Sequence, residues 1–145
     1  MKKLALVLVV LLILATAVPA RAEDDPRLYA LGMVSASNLY FSYLVLGTVA
    51  DGYASGGYGV DMATSLTEEA IALTRSSIDA LELLITSAAI AGDDLAVVEG
   101  LIETHRLLLG QANGLLSYIE DPGNTDDFLR YRDLAWQNIS QMLQF

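Results

Sequence analysis

Residues 95–119 decide the fold of this chain, and they read LAVVEGLIETHRLLLGQANGLLSYI. Apolar side chains recur there at alternating steps of three and four residues, which is the period of an amphipathic helix with a coiled-coil seam. One face of this helix is therefore expected to pack against other helices. The seam positions are Leu95, Val98, Ile102, His105, Leu109, Ala112, Leu116 and Ile119.

Helical periodicity continues on both sides of this segment, and three turn segments interrupt it. They are Asp51–Gly59, Gly92–Asp94 and Asp121–Thr125, all rich in Gly, Asp, Asn or Pro. Three interruptions divide the chain into four helices. The predicted starts are Pro26 for the first helix, Asp61 or Ser65 for the second, Asp93 or Asp94 for the third, and Thr125 for the fourth.

Short connections between long amphipathic helices place consecutive helices side by side in opposite directions. The predicted fold is therefore all-α, an antiparallel up-down-up-down four-helix bundle formed by residues 23–145. This length is usual for one domain and is sufficient to bury a hydrophobic core.

The first 22 residues are predicted to be a cleaved signal peptide. Lys2 and Lys3 precede an apolar run from residue 4 to residue 18, and Ala20-Arg21-Ala22 has the small residues of a cleavage site. The mature protein would then begin at Glu23 and be periplasmic or secreted.

Residues 23–145 are strongly acidic. The whole chain carries a net charge of −10, and removing the three basic residues Lys2, Lys3 and Arg21 makes it −13. All 18 acidic residues and only five arginines remain. Such a surface repels phosphate, so nucleic acid is not expected as a partner.

The chain contains no cysteine. It therefore cannot form a disulfide, a thiolate metal site, a covalent C-x-x-C-H haem attachment or a lipid-modified N-terminal cysteine. Its stability has to come from packing.

The first helix has no charged residue between Leu28 and Ala50. These 23 residues are long enough to span a bilayer, so membrane anchoring by helix 28–50 is an alternative. Serines, Asn38 and tyrosines in the middle of the segment argue against it, because unpaired polar groups are costly in lipid. Burial by the bundle is the favoured interpretation, with a second subunit as a further candidate for covering the helix. The small residues Gly32 and Ala36 would allow close helix contact.

The third helix carries Leu107, Gly110 and Gly114 away from its seam. Glycine inside a helix costs about 1 kcal/mol relative to alanine. A packed neighbour, such as the second subunit of a homodimer, would explain that cost. Tolerated sequence drift is the other explanation.

His105 is the only histidine, and the periodicity places it on the core seam. An exported, cysteine-free bundle with one inward histidine is similar in layout, though in no specific motif, to b-type cytochromes that hold haem through histidine and methionine. This resemblance implies His105 as a haem or small-ligand contact, with Met33, Met62 or Met142 as the second ligand. The favoured interpretation is a hydrogen-bonded core histidine without a cofactor.

No other chemistry emerges from the residues. A second histidine for a zinc or copper site is missing, and Ile102 stands where the Glu-x-x-His motif of di-iron bundles needs a glutamate. Nothing resembles a nucleophile elbow, so the chain is not expected to be an enzyme. We expect it to act by binding another protein or itself, as an interaction or structural component of the cell envelope.

The Gly/Tyr-rich segment Asp51–Gly59 is longer than a bundle connection needs. Exposed Tyr53 and Tyr58 on glycine hinges would suit partner recognition, and a simple flexible connection is the alternative.

Overall fold

Residues 26–143 are described by the computed structural model, and their regular structure is entirely helical. The four helices are α1 (Pro26–Ala54), α2 (Val60–Thr86), α3 (Asp93–Glu120) and α4 (Asp126–Leu143). The predicted all-α class with four helices is confirmed. The predicted signal peptide, residues 1–22, lies outside the described residues.

Local signals set most helix starts where the sequence predicts them. Pro26 opens α1, and Asp93 and Asp94 lie in the first turn of α3, where carboxylates favour the helix dipole. Gly92 precedes α3 with φ +63°, a backbone conformation that glycine adopts at little cost. Asp126 opens α4 one residue after the predicted start.

The first connection is shorter than predicted. α1 continues four residues beyond Ala50 to Ala54, so the segment between α1 and α2 is only Ser55–Gly59. Within this extension Gly52 leaves room for the ring of Tyr58, which lies where a Cβ atom would be. The Tyr58 amide donates a 2.9 Å hydrogen bond to the Gly52 carbonyl and closes the turn.

α3 is the central helix, because it packs against each of the other three and makes the most extensive contacts, with α2 and α4. Its buried surface is therefore wider than one seam. Leu108 and Leu115 are fully buried, whereas the predicted seam residues Leu109 and Leu116 are only half-buried. A three-four repeat identifies the side that faces one neighbour, and α3 has three neighbours.

Contacts between α3 and α4 join early residues of one helix to late residues of the other. Gly114 lies against Phe128, Gly110 against Tyr131 and Gly100 against Met142. These two helices therefore run in opposite directions. Between α2 and α3, Arg106 lies 3.1 Å from Glu82 in an exposed ion pair.

Candidate functional site

His105 is a core residue, 1% exposed, at the middle of α3. Its Nδ1–H donates a 2.8 Å hydrogen bond to the Leu101 carbonyl oxygen, one turn earlier. The Nε2 atom then carries the lone pair, and it has no partner among the described residues. Desolvation lowers the pKa of His105 below its ordinary value, and the hydrogen bond to Leu101 partly opposes this shift.

The methionines considered as haem ligands lie in different surroundings from His105. Met33 on α1 is 47% exposed, and Met62 in the first turns of α2 is 54% exposed. Met142 lies on α4, with its sulfur 3.9 Å from the Thr104 hydroxyl. The interior at His105 is filled by buried side chains such as Leu101, Leu108 and Ala112, so the structure does not unite these residues in an open haem pocket.

Within residues 26–143, no group of three or more His, Cys, Asp or Glu side chains is arranged to hold a metal ion. The segment Asp121–Thr125 forms a tight turn. The Asp121 carboxylate accepts a 3.0 Å hydrogen bond from the Gly123 amide, which uses one of its oxygens within the turn.

The expected exposure of Tyr53 and Tyr58 is wrong, because both side chains are half-buried. Tyr53 lies in the last turn of α1, where its hydroxyl donates a 3.1 Å hydrogen bond to the Ile119 carbonyl. Its ring meets Tyr118 edge-on, with centroids 5.4 Å apart. Tyr58 is half-buried against Gly52. Both tyrosines join α1 to the rest of the bundle.

The glycine face of α3 is also not a free surface, which corrects the expected subunit contact at Leu107, Gly110 and Gly114. The ring of Tyr131 occupies the place of a Cβ atom at Gly110, and a Cβ at Gly114 would lie 2.5 Å from the Phe128 backbone nitrogen. Leu107 is half-buried against the core. α4 of the same chain is the packed neighbour that these glycines accommodate.

An exposed apolar surface lies on α1. We call its exposed residues Val34, Phe41, Leu44 and Val45 the outer face of α1. Phe41 is 64% exposed at its centre. By length and composition alone, α1 is also the one described helix that could cross a membrane. Its opposite side, including Leu39 and Leu46, is buried in the core.

Two polar side chains on the exposed side of α1 form hydrogen bonds within the chain. The Asn38 amide donates a 3.1 Å hydrogen bond to the Ser77 hydroxyl, and the Thr48 hydroxyl donates to the Leu44 carbonyl at 2.9 Å. These bonds reduce the number of free donors beside the outer face.

Aromatic rings border this face. Tyr40 lies 6.4 Å from Phe41, and Tyr43 lies 5.4 Å from Trp136 of α4 in a tilted arrangement, both measured between ring centroids. Interfaces between proteins are enriched in these residue types, because they bury much area at little cost in side-chain entropy. The sequence indicated that this helix is apolar on nearly every side; which side stays uncovered depends on the packing of the other three helices.

A groove of about 550 Å³ opens at one end of the bundle. The beginning of α1, the beginning of α3 and the end of α4 enclose it, and Met33, Gly100 and Met142 are among its lining residues. Sequence reasoning missed it, since residues distant in the chain form it together.

No protein family, curated protein or solved structure matches this chain.

Proposed function

We propose that this protein is exported and acts by binding a protein partner through the outer face of α1, as an interaction or structural component of the cell envelope. The observation that carries the proposal is the combination of exposed Phe41, Leu44 and Val45 with the absence of charge from Leu28 to Ala50. Apolar patches of this kind are characteristic of association surfaces.

We take a second copy as the partner, and the charge pattern indicates which face two copies would use. Two copies with a net charge of −13 each on residues 23–145 repel wherever acidic surfaces meet. The outer face of α1 has no charge of its own, so it allows two copies to approach with the least repulsion. α1 is about 43 Å long at 1.5 Å per residue, and two such helices can pair around a two-fold axis.

The proposal includes the cleaved signal peptide of residues 1–22, a periplasmic or secreted location and an up-down-up-down topology. The opposite directions of α3 and α4 support that topology. Binding is proposed in place of catalysis, because the buried His105 donates to a backbone carbonyl and does not pair with a nucleophile.

Sedimentation velocity on residues 23–145 tests the proposed partner. We expect a dimer at micromolar concentration. Phe41→Glu should weaken it by about 2 kcal/mol or more, because it buries an unpaired charge at the centre of the contact. Leu83→Glu is the matched control, since Leu83 on α2 is 66% exposed and lies outside the outer face. It should leave the dimer intact.

A photo-reactive amino acid at position 41 distinguishes a second copy of this chain from a different protein partner. In the native envelope it should form an adduct of twice the subunit mass. An adduct with a different chain would identify that protein as the partner in place of a second copy, and the proposed binding role would remain. A monomer at all concentrations with no adduct would contradict the binding proposal, and recovery only in detergent would favour α1 as a membrane anchor.

A further inference from the structure

The end groove lies where α1, α3 and α4 meet. Its lining includes Gly32 and Ala36 of α1, and Gly100 and the buried Leu101 of α3. Its volume of about 550 Å³ is in the range of sites for small molecules.

Gly32 carries the argument. A glycine inside a helix costs stability relative to alanine, so its presence calls for a reason. At Gly110 and Gly114 the reason is visible, because α4 occupies the place of the Cβ atom. At Gly32 no described atom outside the adjacent part of α1 lies within 4 Å of that place. The absence of a side chain there leaves this part of the groove lining open.

The charge of the groove indicates what kind of molecule fits. Asp94 is the one charged residue in its lining, and Asp93 precedes it in the first turn of α3. Residues 23–145 add 18 acids against five arginines. A ligand with an apolar body and a positive end would bury its apolar body in the groove and place its positive end near Asp94. An anionic end would be repelled.

We propose that the groove binds a single-chain amphiphile with a cationic head group, its hydrocarbon chain along Gly32, Ala36 and Leu101 and its head beside Asp94. This site is separate from the outer face of α1, so it does not depend on the proposed protein partner.

Calorimetric titration of residues 23–145 with alkyltrimethylammonium ions, below their micelle-forming concentrations, tests the proposal. We expect saturable binding of one molecule per chain. Extending the alkyl group of the ligand from eight to ten carbons should tighten binding about fifteenfold, because each buried methylene raises the affinity by a factor of about four. A decyl sulfonate of equal chain length should bind much more weakly. Circular dichroism checks that the helices stay intact during the titration.

Gly32→Leu fills the groove while favouring the helix by propensity, so this variant should fold and lose binding. Ala80→Leu, a similar enlargement at an exposed position of α2 outside the groove, should bind as the unmodified protein does. Asp94→Asn should weaken the cationic ligand about two- to fivefold and leave a neutral decyl glucoside unchanged.

Absence of binding, equal binding of the sulfonate, or undiminished binding by Gly32→Leu would each overturn the proposal. If Gly32→Leu instead dissociates a dimer without any amphiphile binding, a second copy occupies the groove and the ligand is wrong. A protein that is monomeric but binds the ammonium ion would keep this site and remove the proposed dimer.

Discussion

Among the described residues, five polar side chains are buried in the core, and four of them form a hydrogen bond within their own helix, α2 or α3. Thr67 and Thr74 donate to carbonyls one turn earlier at 2.7 Å, Thr104 does so at 2.9 Å, and His105 follows the same pattern through Nδ1. Gln111 differs, because neither of its amide atoms has a partner among the described residues. Local bonding lets polar residues enter the core without fixing how helices pair.

His105 should make stability depend on pH. Its folded-state pKa lies below the ordinary value of 6.5, so the unfolded chain binds more protons as the pH falls through 6.5. The contribution of His105 to the free energy of unfolding is fully present above pH 6.5 and is lost as the pH falls towards the folded-state pKa. The slope can reach about 1.4 kcal/mol per pH unit.

Urea unfolding between pH 5 and 8 measures this effect. The unmodified protein should lose more stability towards pH 5 than His105→Gln, because the carboxylates contribute equally to both and cancel in the difference. Parallel pH profiles would show that the two states bind protons equally at His105.

Ala88 has φ +53° just after the end of α2, a conformation that costs an L-residue energy. The amide of Ala89 donates to the Leu84 carbonyl, which is the pattern of a helix end that favours glycine at this position. Ala88→Gly should therefore raise the free energy of unfolding by up to about 1 kcal/mol. A loss of stability in thermal unfolding would contradict this reading of the turn.

At the scale of elements, helix ends are determined by neighbouring residues in the chain, whereas helix faces are determined by packing against other helices. Pro26, Gly92 and Asp126 act on the backbone next to them, so the sequence predicts these ends well. The predicted end of α1 at Ala50 is four residues too early. In the sequence Gly52 indicates a helix end, whereas in the structure it lies within the helix and is covered by the ring of Tyr58. The faces of α3 depend on three other helices.

Two glycines of α3 should respond in opposite ways to the same substitution. Gly114→Ala forces the new Cβ against the backbone of Phe128, which cannot move without shifting α4, and should destabilise the protein by about 1–3 kcal/mol. Gly100→Ala places its Cβ at an ordinary 3.5 Å from the Met142 methyl group and should stabilise by up to about 1 kcal/mol. Chemical unfolding of both variants tests this; equal effects would mean that α3 and α4 are not in close contact at Gly114.

At the scale of the whole molecule, acidity and an uncharged apolar helix occur together. Eighteen acidic residues favour solubility, whereas the outer face of α1 favours association. The two tendencies are separated in space, since Leu28–Ala50 contains none of the charges.

This separation predicts how the proposed dimer responds to salt. Raising the ionic strength from 0.05 to 0.5 M screens the repulsion between two acidic copies, so the dissociation constant should fall several-fold. Sedimentation at a series of salt concentrations measures it. A dimer that dissociates as salt increases would instead be held by ion pairs, and the outer face of α1 would not be its contact.

The sequence by itself determined the helical class, the number of helices, most of their starting points and the burial of His105. These properties follow from interactions within one helical turn and from a repeating apolar pattern, both of which are local in the chain.

Only the tertiary structure decided that Gly110 and Gly114 face α4, that Tyr53 bonds to Ile119, and that the outer face of α1 and the groove at Gly32 stay open. The physical reason is the same in each case. A pattern shows that a side is apolar or small, but what covers it depends on residues far away in the chain, and their position is set by the packing of all four helices together.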